Sequence, residues 1–168
     1  YSSAASDVYK RQADDDMKNF QRNLSTGEVE VQDSTIYHKT EYRERRNHYA
    51  IYSVNTKIDG FDTSRDAFLG AYRGADSPEA VENGKCTNSM ASGWSPIASH
   101  QINVDLAAGE TKTFIFVLGY IENPEDEKWE SYGVINKTRA KEMLAKYQTD
   151  AQVDEAFAAL QALSLIHI

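Results

Sequence analysis

The sequence is poor in cysteine, proline and basic residues, and these shortages exclude several classes of protein. Its single cysteine, Cys86, cannot form an internal disulfide or a cysteine-based zinc site. No run of about 18 apolar residues is present and the mean hydropathy is -0.62, so no membrane span is predicted. The 18 basic residues are outnumbered by 26 acidic ones, for a net charge of -8. This acidity argues against nucleic acid or an anionic membrane as partner. The single cysteine suggests a reducing compartment, and we expect a cytoplasmic location.

Motifs for nucleophilic, nucleotide-binding and metal chemistry are also lacking. No serine lies in a G-x-S-x-G context, and no glycine-rich phosphate loop occurs. His38, His48 and His100 are widely spaced, which favours strand histidines over metal ligands. The acidic run at 14–16 lacks the ligand spacing and turn glycine of a calcium loop. We therefore expect no metal site.

The two ends of the sequence can be encoded by DNA segments that are reverse complements of each other. One set of codons for Asp7–Gln12 has a reverse complement that encodes Leu163–Ile168. This relationship resembles the end of a sequencing-library transposon adapter. We therefore expect residues 1–12 and 163–168 to be adapter-derived, and the biological sequence to be residues 13–162.

Period-2 alternation predicts strands over most of the chain up to about residue 120. The polar turn Gln32–Ser34 predicts a hairpin between the first two strands, and Gly109 suits the turn of a later hairpin. The region Phe61–Pro96 is rich in glycine and proline and predicts long loops with one or two short strands. The predicted strands are Glu28–Val31, Thr35–Lys39, His48–Asn55, Asp66–Leu69, Gln101–Leu106 and Lys112–Gly119.

After Asn123–Pro124 the spacing of apolar residues changes to a helical one. Asn136 can cap a first helix, and Thr149 with Gln152 forms the signature of a capping box for a second. Strands followed by helices predict a mostly β, sandwich-like domain that passes into a helical segment. The predicted apolar faces of the two helices are Ala140, Met143, Leu144 and Tyr147, and then Val153, Ala156, Phe157 and Leu160.

Two polar clusters are candidates for ligand binding. Asn19–Asn23 combines three amides, an arginine and an aromatic residue, a mixture that suits a sugar or a sugar phosphate. A turn whose amides cap backbone groups explains the same residues equally well. Tyr42–Asn47 holds three arginines around Glu44, and here an ion-paired surface or interface is favoured over an anion site.

Several long segments, taken in order, resemble the cellobiose phosphorylases of glycoside hydrolase family 94. The resemblance extends in order over essentially the whole of residues 13–162. One departure is Ala71, where many relatives have proline. The matching segments are NFQRNLSTGEVEV (19–31), IYHKTEYRERRNHY (36–49), GFDTSRDAFLGAYRG (60–74), GWSPIASH (93–100) and FVLGYIENPEDEKW (116–129).

The resemblance implies a fold and a domain division. Residues 13–130 would be the later part of an N-terminal β-supersandwich of antiparallel sheets, and residues 131–162 would begin a helical linker. A catalytic (α/α)6 barrel would follow in the complete enzyme, which is expected to be a homodimer. This fragment would then be inactive by itself.

The implied reaction is the inverting phosphorolysis of cellobiose to α-D-glucose 1-phosphate and glucose. Inorganic phosphate is a co-substrate, and no other cofactor is implied. Because phosphate is already an anionic nucleophile, the enzyme needs only a general acid. In relatives this acid is an aspartate of the barrel, so no catalytic residue is assigned in this fragment.

Three residues carry over as substrate-binding candidates. Arg22 matches an arginine that reaches the sugar site of the family, Asn19 matches a nearby loop position, and Gln21 is added for its proximity. Two alternatives stay open. One is a non-catalytic β-sandwich that binds carbohydrate or mediates assembly, and the other is a family relative that acts on cellodextrin, chitobiose or cyclic glucan.

Overall fold

The computed structural model describes residues 27–39, 47–93 and 96–166 of the chain. A central antiparallel sheet has the strand order β5-β1-β2-β3-β7, and two small two-stranded sheets, β4-β6 and β8-β9, accompany it. The strands are β1 Gly27–Gln32, β2 Thr35–Lys39, β3 His48–Val54, β4 Gly60–Asp62, β5 Ser92–Gly93, β6 Ser99–Gln101, β7 Phe116–Glu122, β8 Trp129–Ser131 and β9 Val134–Ile135. The helices are α1 Arg65–Leu69, α2 Glu79–Glu82, α3 Thr138–Leu144 and α4 Asp150–Ile166, with a 3₁₀ turn at Glu125–Glu127.

The predicted hairpin of β1 and β2 is confirmed. Gln32 pairs with Thr35 across a two-residue loop in which Asp33 and Ser34 have φ values of 50° and 62°. Two successive positive φ angles are those of a type I′ turn, which suits the right-handed twist of the strands. Strand β3 then pairs with β2, and the register of the central sheet is continuous from β1 to β7.

The predicted pairing of Gln101–Leu106 with Lys112–Gly119 is wrong. Only Gln101 of the first segment lies in a strand, while the second segment begins its strand at Phe116 and pairs with β3. The expected turn does form, with Gly109 at a φ of 81°. The alternating apolar residues of this segment do not form a buried face, because Val104 and Leu106 are exposed.

The two C-terminal helices begin near the predicted caps, although the N-cap residue of α3 is Lys137 rather than Asn136. Helix α3 begins at Thr138, whose backbone N–H donates to the side chain of Asn136. At α4, Thr149 and Gln152 exchange hydrogen bonds in the expected capping box. The predicted strand at 66–69 is wrong, however: this segment is helix α1, capped by Ser64.

The two faces of the central sheet are covered to different extents. On one face, α3 and β9 pack on a core formed by Tyr37, Tyr49, Ile51, Ile121, Ile135, Ala140 and Leu144. Gly119 of β7 lies beneath α3, where a Cβ atom would approach Met143 Cε to 2.6 Å. The opposite face has a smaller cluster around Val29, Ile36 and Ala91. There the side chains of Phe116, Leu118 and Tyr120 on β7 remain exposed.

Candidate functional site

The substrate-binding candidates Asn19, Gln21 and Arg22 lie outside the described residues, so their side-chain positions stay predictions. The first described residue after them is Gly27, five positions beyond Arg22. Of the second cluster, Tyr42–Asn47, the structure describes Asn47 alone.

The described residues that flank both predicted clusters meet at one end of the central sheet. Gly27 pairs with Gly93 of β5, and Glu28 pairs with Lys39, the last residue of β2. Lys39 in turn pairs with Tyr49 of β3. We call this end of the sheet the strand-end edge. Four of the five segments that resemble the phosphorylases therefore reach the central sheet at this end, whereas residues 60–74 form β4 and α1.

Three asparagines tie the strand-end edge together. Asn47 Nδ2 donates to the carbonyl oxygen of Asn123 at 2.6 Å, and the Asn123 N–H donates to the Asn47 carbonyl at 3.0 Å. The side-chain amide of Asn123, which is 1% exposed, donates to the Asn136 carbonyl at 2.9 Å. The hydroxyl of Tyr49 donates to the same carbonyl. The starts of β3 and α3 are thus held against the end of β7.

A cluster of lysines and carboxylates lies beside these asparagines. Glu30 accepts from Lys39 Nζ at 3.0 Å and from Lys137 Nζ at 2.5 Å, and its other contact is the Ile135 N–H at 2.9 Å. Both lysines are almost completely buried. The more exposed Glu28 contacts Lys39 at 3.1 Å. We call Glu28, Glu30, Lys39 and Lys137 the buried ion cluster.

Opposing effects set the pKa values within the buried ion cluster. Burial alone would raise the pKa of Glu30, but the hydrogen bonds from Lys137, the Ile135 N–H and Lys39 lower it. Burial likewise disfavours charge on Lys39, yet Glu30 and Glu28 raise its pKa above the usual value. Glu30 and Lys39 are therefore a charged pair at neutral pH.

Trp129 lies next to this cluster and is 40% exposed. The ammonium of Lys128 lies 4.3 Å from the centre of its ring, and that of Lys39 lies 5.6 Å away. Both distances are within the range of cation–π attraction. The edge thus combines an accessible aromatic ring with cationic groups in a chain that is acidic overall.

Asp62 forms a second, fully buried polar centre. Its carboxylate accepts from the N–H and hydroxyl of Thr87 and from the N–H and hydroxyl of Ser89. Burial would raise its pKa, but these hydrogen bonds lower it. Asp62 therefore anchors residues 86–91, which lead into β5 and the strand-end edge.

These two carboxylates are unsuited to general acid catalysis. A general acid must hold a proton near neutral pH and so needs a raised pKa, whereas the pKa values of Glu30 and Asp62 are both lowered. Instead, their hydrogen bonds hold backbone N–H groups, hydroxyls and lysine side chains in place. This part of the chain can therefore help to position a binding site, but it does not supply a general acid.

Two histidines lie on the less covered face of the sheet. Burial lowers the pKa of His38 and of His100 below the usual value. The ring of His100 stacks on Tyr52 with centroids 4.8 Å apart, and neither of its nitrogens has a hydrogen-bond partner among the described residues. Both histidines are strand residues, as predicted.

A pH dependence of stability follows from these lowered pKa values. Below about pH 6.5 the unfolded chain binds protons that the folded His38 and His100 do not, so stability should fall as the pH decreases. We expect the melting temperature to be lower at pH 5.5 than at pH 7.5. The double substitution His38→Gln with His100→Gln should flatten this dependence. If the melting temperature of the double variant depended on pH as strongly as that of the unsubstituted protein, the two histidines would not be the source of the dependence.

Sequence reasoning missed the buried ion cluster and the Asp62 centre. The signal for the cluster was weak, because Glu30 and Lys39 sit on strands that alternate like any half-exposed pair. Lys137 is close to them only through folding, since it lies 107 and 98 positions away in the chain.

Residues 27–39, 47–93 and 96–166 contain no group of three or more His, Cys, Asp or Glu side chains that could hold a metal ion. Within the same residues, no helix has both the length and the apolar character needed to cross a bilayer.

Comparison with known proteins gives a matching family model and several similar proteins. The family model described as "Glycosyl hydrolase 94, supersandwich domain" matches residues 4–150. N,N'-diacetylchitobiose phosphorylases of Vibrio furnissii and Vibrio proteolyticus are both 34% identical, over 103 and 104 residues. Solabiose phosphorylase of Paenibacillus borealis is 27% identical over 110 residues.

The matched part is a small share of each relative. It covers 61%, 62% and 66% of this chain, in the same order, but only 11%, 11% and 13% of the three proteins. The chain therefore spans about one tenth of the length of the curated relatives it matches.

Proposed function

This chain belongs to glycoside hydrolase family 94, and from that membership we propose that it is part of an inverting glycoside phosphorylase. The observation that supports this proposal most is the family match across residues 4–150, in a chain whose sheet is followed by helices. The three relatives described above are all named as phosphorylases. The activity belongs to the longer enzyme, of which this chain supplies a supersandwich segment.

The proposed reaction transfers a glycosyl group from a disaccharide to inorganic phosphate. The glycosidic C–O bond breaks as an acid protonates the leaving oxygen, and a phosphate oxygen forms the new bond at the anomeric carbon from the opposite face. The products are a sugar 1-phosphate of inverted configuration and a free sugar. The general acid is placed outside this chain.

We propose cellobiose as the substrate, on the resemblance of the long sequence segments. N,N'-diacetylchitobiose is the main alternative, because two relatives at 34% identity are named for it. The ratio of kcat/KM for the two disaccharides, measured with the longer enzyme, decides between them. A homodimer in the cytoplasm is part of the same proposal and is checked by the solution mass of that enzyme and by cell fractionation.

Arg22 is the proposed substrate contact of this segment, with Asn19 and Gln21 beside it. Support comes from the topology: Arg22 precedes Gly27 by five residues, which span at most about 18 Å when fully extended. Gly27 itself lies at the strand-end edge. An arginine fork there suits vicinal hydroxyls or phosphate oxygens.

We expect Arg22→Ala in the longer enzyme to lower kcat/KM for phosphorolysis by roughly 10-fold, the effect of losing one charged hydrogen bond. The melting temperature should change little. Arg73→Ala is a matched control, because Arg73 is paired with Glu82 on an exposed loop and should leave kcat/KM unchanged. Unaltered kinetics for Arg22→Ala would remove Arg22 from the substrate site.

A further inference from the structure

Side chains from the central strands hold the segment that leads into α3. Residues 133–136 include β9 and end just before the helix begins. Four side chains bind the backbone of this segment: Lys39 donates to the Gly133 carbonyl at 2.7 Å, Glu30 accepts from the Ile135 N–H at 2.9 Å, and Tyr49 and Asn123 donate to the Asn136 carbonyl at 3.0 and 2.9 Å. We call residues 133–136 and these four side chains the sheet–helix joint.

Tyr49 lies at the centre of the sheet–helix joint. The residue is completely buried, and its hydroxyl shares the Asn136 carbonyl with the side-chain amide of Asn123. A carbonyl oxygen has two lone pairs, so these two donors together fix the orientation of this peptide group. Burial raises the pKa of Tyr49 to about 12. The hydroxyl therefore keeps its proton at neutral pH and remains a donor.

The orientation of the Asn136 peptide determines how α3 leaves the sheet. Asn136 directly precedes Lys137, the N-cap residue of α3, and its side chain accepts from the Thr138 N–H at 3.0 Å. The first turn then closes where the Lys141 N–H donates to the Lys137 carbonyl. A tilt of the Asn136 peptide would therefore tilt the helix, and groups farther along the chain would move in proportion to their distance.

The joint lies at the strand-end edge, where the proposed substrate contact also meets the sheet. Tyr49 pairs with Lys39, and Lys39 pairs with Glu28 at the start of β1. Arg22 precedes β1 by five residues. The proposed function places the general acid outside this chain, so two parts of the enzyme would hold the substrate between them. A misplacement of about 1 Å between such parts can lower a rate by about 100-fold.

We propose that Tyr49 is a positioning residue of the phosphorylase. Its hydroxyl fixes the direction of α3 and thereby holds Arg22 in register with the general acid, which the part of the longer enzyme connected through the helices supplies. Tyr49 itself packs in the core with Ala140 and Leu144 of α3 and does not touch the substrate. This inference rests on the proposed function and adds to it a residue outside the two predicted polar clusters.

Tyr49→Phe in the longer enzyme tests this role through the loss of a single oxygen atom. The Asn136 carbonyl keeps Asn123 as a donor, so the variant should fold. We expect kcat/KM for phosphorolysis to fall about 5-fold, less than the roughly 10-fold loss expected when Arg22 itself is removed. In the Arg22→Ala background the same substitution should lower kcat/KM by less than about 2-fold, because no arginine is left to be positioned.

Ser53→Ala is the matched control for stability. Ser53 also lies on β3, at the end away from the joint, and its hydroxyl shares a buried hydrogen bond of 2.7 Å with Thr35. Both variants thus lose one buried hydrogen bond of the same strand and should lower the melting temperature to a similar extent. In assays well below these melting temperatures, Ser53→Ala should leave kcat/KM unchanged in either background.

Hydrogen exchange tests the first link, from the Tyr49 hydroxyl to α3. In Tyr49→Phe, the Lys141 N–H should exchange about 10-fold faster, the equivalent of one buried hydrogen bond. The Asn55 N–H, which donates to the Ile115 carbonyl at the other end of β3, should keep its rate.

Three results would overturn the inference: an unchanged exchange rate at Lys141, a kcat/KM of Tyr49→Phe equal to that of Ser53→Ala, or an equal loss for Tyr49→Phe with and without Arg22→Ala. In each case, phosphate-dependent cleavage by the unsubstituted enzyme would leave the proposed function intact. An unsubstituted enzyme that cleaves no disaccharide with phosphate would instead refute the function, and this positioning role with it.

Discussion

Glu30→Gln is expected to destabilise the supersandwich segment by about 3–5 kcal/mol. The substitution keeps the size of the side chain but removes the negative charge that two buried lysines share. Lys39 and Lys137, with 6% and 5% of their side chains exposed, would then carry charge without an adequate counterion. The Ile135 N–H would also lose a charged acceptor.

Glu28→Gln is the matched control for this result. Its carboxylate contacts the same Lys39, but its side chain is 54% exposed, so its loss should cost at most about 1 kcal/mol. Pulse proteolysis of the longer enzyme in urea, read on fragments of residues 27–166, measures both changes. Equal effects for the two substitutions would show that burial of the Glu30 pair does not matter.

Asp62→Ala should cost a comparable amount, about 3–5 kcal/mol. Asp62 is completely buried and accepts from two backbone N–H groups and two hydroxyls. All four donors would lose their acceptor, and the segment 86–91 would lose its anchor. The same measurement by pulse proteolysis applies.

Asp59→Ala serves as the control for Asp62→Ala. Asp59 lies three residues earlier, is exposed, and accepts one hydrogen bond, from the Asn103 N–H at 2.7 Å. We expect a loss of about 1 kcal/mol or less. If Asp62→Ala were as mild as this control, the buried carboxylate would not organise the loop.

Local signals in the sequence were sufficient for several elements. The β1–β2 hairpin follows from alternation on both sides of a polar turn, and the α4 cap follows from Thr149 and Gln152. The start of α3 agrees with Asn136 to within two residues. In each case the residues that determine the structure lie within a few positions of one another.

Such local signals could not predict which strands pair when they are far apart in the sequence. Strand β7 pairs with β3, more than 60 positions earlier, instead of with the segment just before it. The sequence at 101–106 alternates as a strand should, but beyond Gln101 it forms no strand, and Val104 and Leu106 are exposed. Alternation predicts an extended conformation and says nothing about which strand is the partner.

The candidate site divides in a similar way. Arg22, Asn19 and Gln21 were assigned from a resemblance of long segments, because residues 19–23 alone suit a turn as well as a sugar site. The buried ion cluster required the tertiary structure, since it joins β1, β2 and the residue before α3. We expect substitutions in this cluster to be among the most destabilising, and no local pattern of charges in the sequence predicted it.

The central claim is that this chain is part of a phosphorylase, and its most direct test is the phosphate dependence of disaccharide cleavage. The longer enzyme is incubated with cellobiose or N,N'-diacetylchitobiose, with and without inorganic phosphate, and the products are identified by NMR. We expect an inverted sugar 1-phosphate and a free sugar, formed only when phosphate is present. Cleavage to two free sugars at the same rate without phosphate would contradict the account.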